Sequence, residues 1–355
     1  MGKPYASILI DTYNHEKFIE QAIASALEQD FPASEREIIV VDDESTDRTG
    51  EIVRKFEPQL RYLHKQNGGQ ASALNAGIPE CRGEIVAFLD GDDWWEREKL
   101  GTVANDMEAH PETGTVGHGI FEADETGRRT SAIAPERLYE SKLRNAREGR
   151  EFLPLRAFLG TSRLTLRKAV ALQALPLPAE LRIEADEFLA TVTTAIGGAR
   201  VLPEALTNYR IHAGNLFQFS RADAAKGGVK HEALAAIVRE LPAGLTAAGV
   251  QREVIEILTR AVHVDAERMR LSLGDGWPWE TVRVEREAFR KDYPEAPAGY
   301  RLFHFAVLCL AALTPPRMFY ELRGHYAARN LKRFRSAVGD AAASGSEVFR
   351  KISAS

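Results

Sequence analysis

Residues 37–47 read Glu-Ile-Ile-Val-Val-Asp-Asp-Glu-Ser-Thr-Asp, and residues 85–95 read Ile-Val-Ala-Phe-Leu-Asp-Gly-Asp-Asp-Trp-Trp. Each is a short, continuous apolar run that breaks abruptly into acids. Runs of four or five apolar residues without alternation suit strands covered on both faces, as in a parallel sheet. Upstream, Ser7–Ile10 is a third such run, ending in Asp11-Thr12-Tyr13-Asn14. Asn14 is placed to cap a helix whose apolar residues fall at 18, 19, 22, 23, 26 and 27. Between the runs, 47–56 reads as a helix, Arg61–His64 as a short strand and 71–76 as a helical turn; 97–110 follows as a helix. This alternation predicts an α/β fold: a Rossmann-like, mainly parallel sheet with helices on both faces.

Farther along, 117–130 reads as a hairpin about Asp-Glu-Thr-Gly, 186–196 as a helix closed by Gly197-Gly198, and 200–202 as a strand. The stretch 117–185 is otherwise irregular. From about Ala222 the period is helical, notably over 250–273. A chain of 355 residues is long enough for two domains, expected here at 1–218 and 219–355. The net charge of −5 argues against a nucleic-acid partner. Cys81 and Cys309 form neither a disulfide framework nor a metal spacing. The N-terminus lacks the apolar stretch of a leader, and no run reaches the about 18 apolar residues of a membrane span. A cytoplasmic location is the expectation.

In open parallel sheets the strand ends lie at one edge, where ligands bind. The three acidic strand ends are therefore expected to meet in one cleft. Crowded carboxylates repel, and a cation relieves them; oxygen donors without thiolates favour Mg²⁺ or Mn²⁺ over zinc. Asn67-Gly68-Gly69-Gln70 would bring backbone close to a ligand at a helix start. With the aromatic Tyr13, these features point to a nucleoside diphosphate.

In this order and spacing, SILIDTYNHEKFIEQAIASALEQ (7–29), IIVVDDESTD (38–47), NGGQASALNAG (67–77) and IVAFLDGDDWW (85–95) resemble the inverting family 2 glycosyltransferases of GT-A fold, over residues 5 to about 215. The resemblance implies a nucleotide-sugar donor, most readily UDP-linked. It places Asp11, Thr12, Tyr13, Asp42, Asp43, Gly69, Gln70, Asn75 and Asp90 at the donor, with Tyr13 packed on the base and Asp43 bonded to it. Asp92 and Asp93 would hold the metal, and Asp90 would support the ribose or sugar. ADEFL (185–189) and LPEALTNYRIHAGN (202–215) match the family's acidic helix and Tyr-Arg-x-His segment, implying Asp186 as general base and His212 as a metal or diphosphate contact. Four departures bear on donor and base: Asp11 stands for proline, Glu44 for glycine, Leu74 for arginine, and Ala185-Asp186 for Glu-Asp, leaving Glu184 and Glu187 as competitors. Asp42 reads equally well as a turn residue. Asp47 reads as a helix N-terminal acid, Trp94 and Trp95 as packing residues, and His15, His64 and His110 as surface or structural.

With one carboxylate beyond the metal group, a single displacement with inversion is expected, onto a hydroxyl of a glycan, lipid-linked or other acceptor. A nucleotidyltransferase would need a basic glycine-rich loop where 11–14 is acidic; a non-catalytic nucleotide-sugar scaffold is the other alternative. Downstream, 302–313 is apolar, Pro315-Pro316 breaks it, and residues 318–334 continue at helical spacing. From Arg301 onward nine Lys/Arg face three acids, a local +6 that leaves −11 for residues 1–300. A basic amphipathic segment over 301–335 either packs on the protein or lies on the inner membrane face.

Overall fold

The computed structural model describes residues 4–215, 224–292 and 296–323. They divide into two compact units, one of residues up to Asn215 together with Glu240–Glu256, the other of the remaining described residues. The boundary expected at 218/219 lies outside the described residues.

The first unit opens with β1 (Ala6–Thr12), α1 (Ile19–Leu27), β2 (Arg36–Asp42), α2 (Thr49–Arg54), β3 (Arg61–His64), α3 (Gln70–Glu80) and β4 (Ile85–Asp90). It continues through β5 (Trp94–Trp95), α4 (Lys99–Ala109), β6 (Thr115–Ala123), β7 (Arg129–Ile133) and β8 (Tyr139–Ser141). It closes with α5 (Ala146–Leu155), β9 (Thr165–Arg167), α6 (Lys168–Gln173), α7 (Ala185–Gly197) and β10 (Ala199–Arg210). One sheet runs β3-β2-β1-β4-β9-β6-β10-β5, with β7 beside β6 and β8 beside β10. The β3-β2-β1-β4 half is parallel, as is β6 with β10, while β9 enters antiparallel between β4 and β6.

The parallel half is apolar on both faces because both are covered. Ile8, Ile10, Ile38, Val40, Ala87 and Leu89 share a core with Ile19 and Ile23 of α1 and Leu100 and Val103 of α4. On the other face α3 approaches closely through Gly77, where an added Cβ would lie 2.6 Å from Leu9 Cδ1 and 2.9 Å from Val41 Cγ2. Gly77→Val is therefore expected to destabilise the first unit by about 1–3 kcal/mol through overpacking, read as an earlier urea midpoint; an unchanged midpoint would show that α3 can move away freely.

Asn14 does not cap α1, whose first turn has no side-chain cap. With a left-handed φ of 56°, it turns its side-chain oxygen to the Thr46 amide at 2.7 Å, tying the first acidic loop to the second. Asp47, two residues before the start of α2, accepts the Thr49 amide at 2.9 Å.

Helices α8 (Ala224–Ala247), α9 (Arg252–Ser272), α10 (Pro278–Asp292) and α11 (Ala298–Leu313) follow, and residues 316–323 at the end of the described chain are helical again. In the second unit Val264, Leu271, Val284, Ala288, Ala311, Phe319 and Tyr320 form a separate core. Glu285, buried in it, is neutralised by Arg268 at 3.0 Å and by Arg323, and accepts the Tyr320 hydroxyl at 3.1 Å. No helix among the described residues is long and apolar enough to cross a membrane. Tyr326, Leu331 and Phe334, and the basic residues beyond Arg323, lie outside the described residues.

Candidate active site

Strand register builds the cleft. Thr12 of β1 stands beside Asp42 of β2, and Asp11 stands beside Asp90 of β4. Asp11 Oδ1 is buried and has no hydrogen-bond partner among the described residues. Burial, and then the Asp186, Asp92 and Asp43 carboxylates, push the Asp11 carboxyl up to about 7. Acids from three other segments thus act on one point. Asp90 is likewise held well above the carboxylate range, by burial and then by Asp11 and Asp92, and its Oδ2 accepts the Ser162 hydroxyl at 3.1 Å. Asp92 behaves oppositely: although burial opposes its ionisation, the His15 and His212 imidazoles keep it below the usual range. His212 Nε2 lies 3.0 Å from Asp92 Oδ2, and His15 Nε2 lies 3.9 Å from it. The Gly214 amide donates to His212 Nδ1, which leaves Nε2 as the protonated nitrogen that donates to Asp92.

The raised Asp11 carboxyl makes stability depend on pH. Because its pKa rises on folding from 3.8 to about 7, its stabilising contribution is complete below pH 3.8 and is lost as pH climbs to about 7. In chelator, the wild-type urea midpoint is expected to fall from pH 4.5 to 7.5 more steeply than that of Asp11→Asn. Equal slopes would show that Asp11 ionises as freely folded as unfolded.

Asp93 turns one carboxylate oxygen to the main-chain amide of Arg210 at 2.8 Å, and its other oxygen is buried without a hydrogen-bond partner among the described residues. Burial with Asp92 beside it pushes it up to about 8. Arg210 itself bonds the Asp92 carbonyl, the Glu125 carbonyl and Gln21, and stacks over Phe18 and Trp94. It is a clamp on the acidic loop that sequence reasoning left without a role. Asp42 is a turn residue: its carboxylate takes the Ser45 amide and the Tyr62 hydroxyl. Thr12 directs its hydroxyl to His15 Nδ1 at 3.1 Å. Tyr13 is 45% exposed, so its ring is not a core residue.

The glycine loop is organised from within. The Asp43 carboxylate accepts Lys65 Nζ at 2.6 Å and the Gly68 and Gly69 amides at 3.0 and 2.6 Å, and so presents no free oxygen to a base. Gly69 has a φ of +82°, and an added Cβ would sit 2.4 Å from the Arg182 Cα. Gln70 bridges loops: Nε2 donates to Thr161 Oγ1 and Oε1 accepts the Ala185 amide, both at 2.9 Å. It therefore positions the start of α7. There Asp186 Oδ2 accepts the Thr161 amide at 3.0 Å and hydroxyl at 3.1 Å. Glu187 is turned to Arg156. Asn75, expected at the donor, has both ends of its amide bonded to the main chain of Leu177.

His15, Thr161 and Ser162 are the site neighbours that sequence reasoning missed. His15 was legible only through its place three residues after Thr12; Thr161 and Ser162 lie in the irregular stretch, where nothing marked them.

Asp92, held below the usual carboxylate range, is flanked by two imidazoles and acts on the unpartnered Asp11 carboxyl. Among the described residues no three His, Cys, Asp or Glu side chains form a cage. That donor set fits a hard cation bound by one or two protein groups and completed by diphosphate oxygens.

The model of glycosyl transferase family 2 matches residues 7–171. An uncharacterized glycosyltransferase of Nostoc sp. is 32% identical over 216 residues, 59% of this chain and 65% of its own length. The poly(ribitol-phosphate) beta-N-acetylglucosaminyltransferase TarS of Staphylococcus aureus is 38% identical over 108 residues, 29% of this chain and 19% of TarS. The chain thus spans less than two thirds of either relative. The crystal structure of TarS 1–349 in complex with UDP superposes with a TM-score of 0.51 at 20% identity, covering 90% of this chain and 91% of that one. The mannosyltransferase PcManGT of Pyrobaculum calidifontis, in complex with GDP-Man and Mn²⁺, gives 0.50 at 19% identity, covering 94% and 88%. These likenesses identify the GT-A fold, and residues 7–171 are similar to the glycosyl transferase family 2 domain.

Proposed function

We propose that the chain transfers a sugar from a nucleoside diphosphate donor, UDP-linked by preference, to an acceptor hydroxyl on a glycan or lipid-linked substrate. The reaction proceeds with inversion and uses Mn²⁺ or Mg²⁺. The observation that carries this reading is that Asp11 stands beside Asp90 at the carboxyl edge of the sheet with its buried Oδ1 unpartnered among the described residues, and that Asp43, Asp92 and Asp186, from three other segments, lie near enough to raise its carboxyl. The likeness to an N-acetylglucosaminyltransferase over 108 residues supports a sugar-nucleotide donor.

In this reading Tyr13 offers its exposed ring to the base. Asp43, held by Lys65 and the Gly68–Gly69 amides, shapes the wall beside it. Asp90 and Asp11 face the ribose or sugar. Asp92, oriented by His212, would hold the cation, which when bound supplies neutralisation of the diphosphate's charge. Asp186 takes the proton of the acceptor hydroxyl as that oxygen bonds to the anomeric carbon and the bond to the diphosphate breaks. Thr161 fixes the Asp186 carboxylate by two hydrogen bonds, so its orientation precedes substrate binding.

A thermal-shift screen of UDP- and GDP-sugars with and without Mn²⁺ tests the donor. Stabilisation should reach about 2.7 kcal/mol at a ligand concentration of 100 Kd for the true donor. NMR of the product tests the stereochemistry: inverted anomeric configuration is expected, and retention would refute a single displacement.

A further inference from the structure

We propose that the second unit carries a docking surface for an anionic phospholipid bilayer, built from Trp277, Trp279 and the outer side of α11, independent of the transfer chemistry. Trp277 and Trp279 flank Pro278 at the start of α10 and are 62% and 64% exposed, with rings stacked 5.1 Å apart at 6°. They border a groove of about 810 Å³ closed by Val282, Ala312, Pro315 and Pro316. The groove therefore joins the indole pair to the C-terminal end of α11.

That helix reads Ala-Gly-Tyr-Arg-Leu-Phe-His-Phe-Ala-Val-Leu-Cys-Leu-Ala-Ala-Leu, and Ala311 is its buried residue. Leu302 is 70% exposed and Leu313 84%, with Phe305, Leu310 and, after the helix, Met318 exposed as well. A helix apolar on all sides is ordinarily covered. At 16 residues it is about 24 Å long, short of the ~30 Å hydrocarbon core, and it carries Arg301 and His304. It fits lying in the interface rather than crossing it. Indoles favour that interfacial depth.

The sequence favours an anionic surface: from Arg301 onward nine Lys/Arg stand against three acids, six of the nine beyond the described residues. A glycan is the weaker occupant for the tryptophan pair, because the groove's lining offers no side-chain polar group besides the two indole N–H groups.

The test is co-sedimentation of the full chain with phosphatidylcholine vesicles containing roughly a third phosphatidylglycerol, against pure phosphatidylcholine. Binding to the anionic vesicles is expected, with quenching of tryptophan emission by brominated lipid in the unaltered protein. Trp277→Ala/Trp279→Ala and, separately, Leu313→Glu should each weaken binding at least about tenfold with unchanged circular dichroism. Absence of both sedimentation and quenching overturns the proposal. So does undiminished binding by both variants. A dimer that becomes monomeric in the variants, with no vesicle binding, would assign the face to a second copy of the chain instead. Emission changes with soluble oligosaccharides but not with vesicles would assign it to a glycan.

Discussion

Replacing Asp186 by Asn is expected to lower transfer by about 10²–10⁴-fold while leaving the affinity for donor within about twofold. The amide oxygen of Asn can still accept the Thr161 amide and hydroxyl that now hold Asp186 Oδ2, so the loop geometry should survive. What disappears is the site that receives the acceptor's proton. The two neighbouring acids do not replace it on this reading. Glu187 is turned to Arg156, and Glu184 occupies the left-handed residue before α7, with a φ of 60°. Steady-state kinetics with donor titrated by calorimetry separate the two effects. Loss of donor binding in step with activity would move Asp186 from base to donor ligand. Unaltered turnover would return the chain to a nucleotide-sugar scaffold or move the base elsewhere.

Asp92→Asn carries the second large expectation, a fall of about 10²–10³-fold in kcat/KM together with loss of the cation's effect on donor binding. Asn keeps an oxygen for the His212 Nε2–H at 3.0 Å, so the change removes charge more than shape. Asp92 is the one member of the Asp11–Asp90–Asp92–Asp93 group held below the ordinary carboxylate range, by His15 and His212 working against burial. Asp11, Asp90 and Asp93 are all pushed upward. An ionised carboxylate among neutralised ones is the natural point for a cation. Asp93→Asn, by contrast, should act through the Arg210 clamp and lower stability, because its carboxylate faces the Arg210 amide inside the protein. Equal kinetic losses from both changes, with stability untouched, would contradict this division of roles.

The parallel half of the sheet was legible because strands covered on both faces must be apolar at every position, and Ile38–Val41 and Ile85–Leu89 have no other economical reading. Register then followed chain length: runs that end in acids at matched positions place those acids side by side. The β9 strand was not legible, being three residues, Thr165–Arg167, in a stretch without periodicity. Its insertion between β4 and β6 brings Thr161 and Ser162 to the acids, so the partners of Asp186 and Asp90 came from a segment that gave no local signal. Side-chain direction was the other blind spot. Asn14, Asp93, Gln70 and Asn75 are polar residues at loop ends, where binding a ligand and holding a neighbouring loop leave the same residue types in sequence. The structure directs all four to protein partners. His15 showed the reverse: a histidine that reads as surface or structural in sequence meets the Thr12 hydroxyl and lies near Asp92. The exposed Trp277–Trp279 pair was likewise invisible until α10 and α11 were placed together.

Calorimetric titration of UDP into the wild-type chain, once with Mn²⁺ and once with chelator, tests most directly whether the clustered acids serve a metal-bound diphosphate. Binding at least about tenfold tighter with the cation, a difference of about 1.4 kcal/mol or more, is the predicted result. Equal affinity in both conditions would contradict it.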